Sequence, residues 1–273
     1  FVNRLSSWNM NLENVKRKWN KKTKAVLIVH TYGLPAEAKK IKEFCIEKNI
    51  YCIEDAAEAH GQSDENILCG SFGDLSTLSF YANKHISTGE GGAVLTDSSD
   101  FDSRLRQMIN LDFQTEERFK HENMFWNYRL GGLQAALGSS QIKNLEKTII
   151  HKENQGQNYQ NLLHDYQDIL QLPLKQIRKS KNQYWVFGVV IKKEGIRNSV
   201  IRQMYSNEIE TRPFFFPLHM QPFLRSINLN IEDELYETER IGFNGLYLPL
   251  GSHISFRKQK YIVKSLIESI QSI

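Results

Sequence analysis

The sequence predicts an α/β fold, a larger part built on a mostly parallel sheet followed by a small C-terminal α+β part. Three observations carry this expectation. Residues 25–30 (AVLIVH) and 50–54 (IYCIE) are apolar runs, the profile of buried parallel strands. Between them, residues 36–48 place Ile41, Phe44 and Cys45 on one helical face. A strand, a helix and a strand in that order form a right-handed crossover unit of a doubly wound sheet. From Gln183 onward the texture changes to shorter elements. Residues 184–191 and 209–212 read as strands, 198–207 as a helix, 247–250 as extended and 255–270 as a closing helix. The expected division is 1–150 for the large part and 151–273 for the small one.

The remaining elements follow in order. Residues 1–24 are polar and basic, with Leu12, Val15 and Trp19 at helical spacing, which predicts a short amphipathic surface helix. Tyr32-Gly33-Leu34-Pro35 is a turn. Residues 77–81 (TLSFY) form a short apolar run with an internal hydroxyl, a buried strand end. Asn83-Lys84-His85 follows, then the glycine-dense turn Thr88-Gly89-Glu90-Gly91-Gly92 and a second strand over 93–96. Residues 100–110 are helical, and 111–127 form a polar, aromatic-bearing connection. Leu130, Leu133, Ala136, Leu137 and Ile142 predict one long packed helix over 129–145. A polar helix over 151–166 bridges into the second part.

Composition bounds the function. A chain of 273 residues, 40% hydrophobic, has ample material for a core. The net charge of +4 is spread among mixed signs, which argues against a nucleic-acid partner. Cys45, Cys52 and Cys69 lack metal-ligand spacing and sit in or beside apolar runs, so they read as reduced thiols of a cytoplasmic protein, with no metal site expected. No stretch has the length and apolarity of a membrane span or a signal peptide.

Two places carry chemistry. A lysine between a buried strand and a glycine turn is partly dry, and desolvation lowers the pKa of an ammonium. Lys84 so placed can act as an amine nucleophile toward a carbonyl; a solvated hairpin lysine is the alternative. Upstream, the strand ending in Glu54 and Asp55 puts acids at the carboxyl end of a parallel strand, where α/β sheets bind ligands. Successive strand residues face opposite sides, so only one of the two acids can serve a given site. A pyridoxal phosphate enzyme needs both parts, a lysine for the Schiff base and an acid for the pyridinium nitrogen.

Several long motifs stand in one order from about Lys21 to the C-terminus: VHTYGLPAE, IEDAAEAHG, GSFGD, SFYANKHISTGEGGAV, NYRLGGLQAALGSSQ and IETRPFFFPLH. On these the chain resembles the sugar aminotransferases of the DegT/DnrJ/EryC1/StrS family. The resemblance implies the aspartate aminotransferase-like fold of pyridoxal phosphate enzymes (fold type I). Family members normally carry roughly a hundred further residues before the matching motifs, including a phosphate-binding turn and an aromatic that stacks on the cofactor.

The resemblance also implies roles. Lys84 matches the Schiff-base lysine, and Asp55 the partner of the pyridinium nitrogen, with a helix N-cap as the alternative. Glu58 stands where many members have a glutamine facing the cofactor's phenolic oxygen; two acids near that anion favour a neutral Glu58. Ser79 matches the phosphate-binding hydroxyl, or is a backbone-bonded strand serine. Asn127 matches an asparagine that reaches the neighbouring subunit's phosphate, which implies a homodimer. Arg129 is the alternative phosphate contact, or an ion-pair partner. His60 is assigned no role. Arg212 and His219, at the ends of RPFFFPLH, are the candidates for substrate contact; the alternative is a hydrophobic plug between the two parts. The implied reaction moves the amino group of L-glutamate to C4 of a nucleotide-linked 4-keto-6-deoxy sugar. GDP-4-keto-6-deoxy-D-mannose comes first, and UDP- or dTDP-linked sugars next. Dehydrating members replace the lysine with histidine, so Lys84 fits transamination.

Overall fold

The computed structural model describes residues 7–227 and 235–273. The chain begins with α1 (Leu12–Lys18), β1 (Ala25–Val29), α2 (Ala38–Glu47) and β2 (Tyr51–Asp55). A small hairpin, β3 (Ser63–Asp64) with β4 (Ile67–Leu68), precedes β5 (Leu75–Ser79) and β6 (Gly92–Leu95). Helices α3 (Ser99–Ile109), α4 (Gly132–Ile142) and α5 (Leu145–Leu162) follow. Then come β7 (Leu170–Gln171), the hairpin β8 (Gln176–Ile177) with β9 (Ser180–Lys181), β10 (Phe187–Ile191), α6 (Arg197–Ser206) and β11 (Arg212–Pro213). The chain closes with α7 (Pro222–Ser226), α8 (Tyr236–Asn244), β12 (Gly245–Leu248) and α9 (Phe256–Gln271).

The first sheet has the order β1-β2-β5-β6. β1, β2 and β5 run parallel, and β6 returns antiparallel to β5. Helix α2 makes the crossover from β1 to β2 and buries Ile41, Phe44 and Cys45 against Ile28 and Cys52. Helix α1 starts where the Asn11 side chain accepts from the Asn14 N–H at 2.9 Å, and adds Val15 to the same core.

Two sequence expectations need correction here. The apolar runs do not make strands buried on both faces: Leu27 in β1 is 51% exposed and Tyr51 in β2 is 57% exposed. Helices α1 and α2 take the face of Val26, Ile28 and Cys52, while on the opposite face the Tyr51 ring meets only the edge of Phe101 from α3 among the described ring pairs. Likewise the helix expected over 129–145 is α4, shorter at Gly132–Ile142, and it is not packed. The backbone leaves helical geometry at Asn144 (φ −110°, ψ 6°), and Leu133 on α4 is 88% exposed. The apolar stripe on α4 is real, but it stays open to solvent in the single chain.

The second sheet has the order β11-β12-β10-β7 and is antiparallel throughout. Its strands are shorter than the sequence suggests. β10 starts at Phe187, after a left-handed Tyr184 (φ 48°), and the 209–212 strand is reduced to Arg212–Pro213. α5, α6 and α9 cover this sheet around Tyr159, Phe187, Met204, Leu246 and Leu266. The Ser255 hydroxyl caps α9 by accepting from the Lys258 N–H at 3.3 Å. A third apolar cluster, including Trp8, Tyr32, Trp185 and Phe214, lies between the two larger cores. That cluster carries the segment before β10 up to the lysine of the first sheet.

Candidate active site

The carboxyl ends of β1, β2 and β5 meet at one edge, and the candidate residues hang from it. β2 pairs with β5 so that Asp55 stands opposite Thr77. Lys84 lies in the connection from β5 to β6. That connection is closed at its base: the Phe80 N–H donates to Gly91 O at 2.8 Å, and Phe80 O accepts from the Thr88 N–H at 2.8 Å. Gly91 has φ 129°, and a Cβ there would press on Thr88 Oγ1 and Leu130. A glycine is therefore required for the turn.

Within this loop Lys84 points inward. Its Nζ lies 3.8 Å from Glu58 Oε1 and 3.9 Å from the centroid of the Trp185 ring. Burial pushes this ammonium below the usual lysine range, while Glu58 and Asp55 oppose the shift. Glu58 follows β2 in a single turn rather than in a helix. Its Oε2 accepts from the Tyr32 N–H at 2.7 Å. Tyr32 makes this bond from a left-handed backbone (φ 60°). Burial raises the Glu58 carboxyl to about 7, against the pull of the Tyr32 N–H and Lys84, and Asp55 adds to the rise. Burial is thus the larger cause of the raised Glu58 carboxyl, and Asp55 a smaller one.

The two neighbouring acids take opposite faces. Glu54 is completely buried. Its oxygens accept from the N–H groups of Gly70 (2.6 Å), Phe72 (2.8 Å) and Gly73 (3.1 Å) and from the Ser76 hydroxyl (2.9 Å). His30 Nε2 lies 2.8 Å from Glu54 Oε1. Because His30 Nδ1 accepts from the Ala36 N–H, Nε2 carries the proton and donates to Glu54. Burial alone would raise this carboxyl, yet His30 and the N–H groups of Gly70 and Phe72 win and hold it at about 2. Cys69 joins His30 and Glu54 within 4.8 Å, a cluster that residue spacing did not reveal. With so many donors on it already, the Glu54 carboxylate serves as a structural knot. Asp55 instead faces the open edge. Its Oδ1 accepts from the Ala57 N–H (3.0 Å) and the Thr77 hydroxyl (3.3 Å), and among the described residues no bond is made to Oδ2.

The other candidates lie further apart. Ser79 ends β5 opposite Gly92, and its Oγ accepts from the Tyr81 N–H at 3.2 Å. Asn127 is exposed; it bridges to Asn110, and its Oδ1 accepts from the Arg129 N–H at 3.4 Å, so its bonds stay within its own connection. Arg129 donates to Asn110 Oδ1 at 2.6 Å. Arg212 is exposed, pairs with Glu210 at 2.9 Å, and lines a cavity of about 680 Å³ together with Tyr81, Asn83, Lys152, Trp185 and Tyr247. His219 is buried and directed at Glu239 (3.0 Å), outside the lining of that cavity. Within RPFFFPLH, Phe214 is buried against Trp8 and Tyr32, and the Phe215 N–H donates to the Tyr32 hydroxyl at 3.0 Å. Phe215 and Phe216 are exposed. The segment is thus an apolar plug at Phe214 and open beyond it.

Sequence reasoning missed three neighbours of Lys84, and the Tyr32 ring that lies parallel to one of them. Trp185 and Lys152 are far away in the chain, and Tyr32 read as an ordinary turn residue. His85 and His60 are both buried and neutral, pushed down by burial to about 3 and about 4; only His60 had been weighed. Burial, together with Lys84, lowers the Lys152 ammonium to about 8.

The donor set fits pyridoxal phosphate: a buried amine for an aldehyde, a carboxylate oxygen left open at a neighbouring strand end for a ring nitrogen, and a serine hydroxyl at a third position. The architecture is that of the aminotransferases. An aminotransferase from Streptoalloteichus hindustanus superposes with a TM-score of 0.89 at 23% identity, over 98% of this chain and 71% of that one. The chain belongs to the DegT/DnrJ/EryC1/StrS aminotransferase family, whose profile matches residues 3–267. It is 35% identical to a GDP-perosamine synthase of Vibrio cholerae over 79% of this chain and 59% of that protein. It is 33% identical to a dTDP-4-dehydro-2,3,6-trideoxy-D-glucose 4-aminotransferase of Saccharopolyspora spinosa over 80% of this chain and 60% of that protein. The chain thus spans about three-fifths of the length of these relatives. Among the described residues, no helix is long and apolar enough to cross a membrane.

Proposed function

We propose that this chain carries the lysine of a pyridoxal phosphate-dependent aminotransferase that acts on a nucleotide-linked 4-keto-6-deoxy sugar in the cytoplasm, with L-glutamate as amino donor. The observation that carries this reading is the Lys84 amine, dry and held beside Glu58 at the carboxyl edge of a parallel sheet. Bound there, the cofactor would supply an aldehyde that takes up an amino group and a ring that withdraws electrons from the carbon losing its proton. Lys84 would hold the aldehyde carbon, Asp55 the ring nitrogen, Glu58 the phenolic oxygen and Ser79 the phosphate.

The remaining work falls to side chains. Released from its covalent bond, the Lys84 amine takes a proton from the amine-bearing carbon of glutamate, and later delivers one to C4 of the sugar. The balance is one amino group for one ketone oxygen: glutamate leaves as 2-oxoglutarate and the ketone becomes a 4-amino sugar. Arg212, on the wall of the neighbouring cavity, is the candidate for the diphosphate. Asn127, whose bonds stay away from Lys84, would serve the site of a second subunit, so the working form is a homodimer. The similarity to a GDP-perosamine synthase supports GDP-4-keto-6-deoxy-D-mannose as the substrate and GDP-perosamine as the product. A dTDP-linked ketone is the second reading, supported by the relative that bears that substrate in its name.

The test is direct. Protein mixed with pyridoxal phosphate should turn yellow, borohydride should fix the label on Lys84, and Lys84→Ala should abolish it. An unlabelled wild-type chain would mark it as a binding or structural protein instead. A panel of GDP-, dTDP- and UDP-linked 4-keto sugars, scored by product, then decides the substrate.

A further inference from the structure

Trp185 has no function assigned so far, yet it is held from several sides. It is 4% exposed. Its indole Nε1 donates to Asn83 O at 3.1 Å, and its own carbonyl accepts from Lys152 Nζ at 2.8 Å. The ring lies parallel to Tyr32 within 8° and also neighbours Tyr247. A Cβ on Gly33 would press on the Trp185 backbone and Cβ, so the turn after β1 closes on it as well. The product of this clamping is an indole face with Lys84 Nζ 3.9 Å from its centroid. On another side of the ammonium is Glu58 Oε1 at 3.8 Å.

We propose that Trp185 is a positioning residue for the Lys84 amine, seating the ammonium on its indole face whenever the lysine is not covalently engaged. The inference rests on reading Lys84 as the lysine that forms the Schiff base. A lysine that alternates between a covalent bond and proton transfer needs a defined place between the two. A flexible side chain left without one would lose orientation, and with it rate. The indole face attracts a cation through its quadrupole, most strongly where water is excluded. It therefore favours the protonated amine, as Glu58 and Asp55 do, while burial opposes it. The other charged or titratable groups around the amine are Lys152 from α5, which also repels it, and the neutral imidazoles of His60 and His85.

The sign follows. Replacing the indole with an aliphatic chain removes a stabiliser of the ammonium, so the amine becomes neutral at lower pH. The measurement uses the full chain without added cofactor. Formaldehyde and cyanoborohydride methylate only the neutral amine, and mass spectrometry reads Lys84 methylation against pH. Trp185→Leu should move the midpoint down by about one pH unit, a tenfold rise in the neutral fraction below it. Trp185→Phe should restore most of the shift. Should Trp185→Leu fail to fold, tryptophan carrying one, two and three fluorines can be incorporated into the wild-type chain. The midpoint should then fall stepwise as the ring quadrupole weakens. A midpoint unmoved across the fluorine series, or moved upward in Trp185→Leu, overturns the proposal. A chain that takes no pyridoxal phosphate would sink the aminotransferase reading and leave this titration readable, because formaldehyde needs no cofactor.

Discussion

Lys84 Nζ and Glu58 Oε1 stand 3.8 Å apart with both side chains nearly out of water, and each alters the other's proton affinity. Glu58 is held at about 7, above the ordinary carboxylate value of 4.5. The native chain therefore keeps a proton that the unfolded chain releases, and this group's contribution to stability falls as pH rises from 4.5 to about 7. In Lys84→Met the cation that pulls Glu58 down is gone, so its midpoint should move above the wild-type value. Carbon-detected NMR of labelled glutamate carboxyls reads the shift. A midpoint that stays put would show that the two groups do not communicate.

His60 and His85 run the other way. Buried neutral, they titrate at about 4 and about 3, well under the free value of 6.5. Their contribution is present above pH 6.5 and lost as pH falls toward 4 and below, because the unfolded chain takes up protons that the native chain refuses. Urea midpoints between pH 6.5 and 5 should show this acid loss. His85→Asn should flatten the slope by up to about 1.4 kcal/mol per pH unit.

Glu54 and Asp55 should respond to substitution in opposite ways although they are adjacent. Glu54→Gln leaves several buried donors facing an amide, and should cost about 3–5 kcal/mol of stability, read by urea denaturation. Asp55→Asn lies at the half-exposed edge and should cost under about 1 kcal/mol. It should instead weaken the retention of pyridoxal phosphate, read by absorbance after dialysis. Equal stability losses in the two variants would contradict the two-faced strand.

Arg212 and His219 separate likewise. Arg212→Ala should raise KM for the nucleotide sugar by about fivefold to tenfold, the worth of a partly solvated charged hydrogen bond, with kcat nearly kept. His219→Ala removes the partner of Glu239 and should lower thermal stability while KM holds.

What the sequence made legible was what short-range pattern controls. The crossover over β1, α2 and β2 follows from two apolar runs around an amphipathic helix, and the opposite facing of Glu54 and Asp55 follows from strand alternation. Lys84 and Asp55 stood out because chemistry restricts which residue types can do their work. Trp185 and Lys152 could not be found this way. They reach Lys84 only through the packing of the second sheet on the first, and nothing near them in the chain marks it. The same locality explains the errors at Leu27 and Leu133. An apolar pattern shows that a face needs covering, and says nothing of whether the same chain provides the cover.

The closed base of the Lys84 loop has a further meaning. With Phe80 tied through both its N–H and its carbonyl, and the Lys84 N–H donating to Tyr81 O at 3.0 Å, the backbone beneath the lysine is tethered. The amine can then travel only as a pendulum, by rotations within its own four methylenes. Chemistry that asks this amine to serve two neighbouring atoms would accordingly draw on side-chain rotation above a tethered backbone.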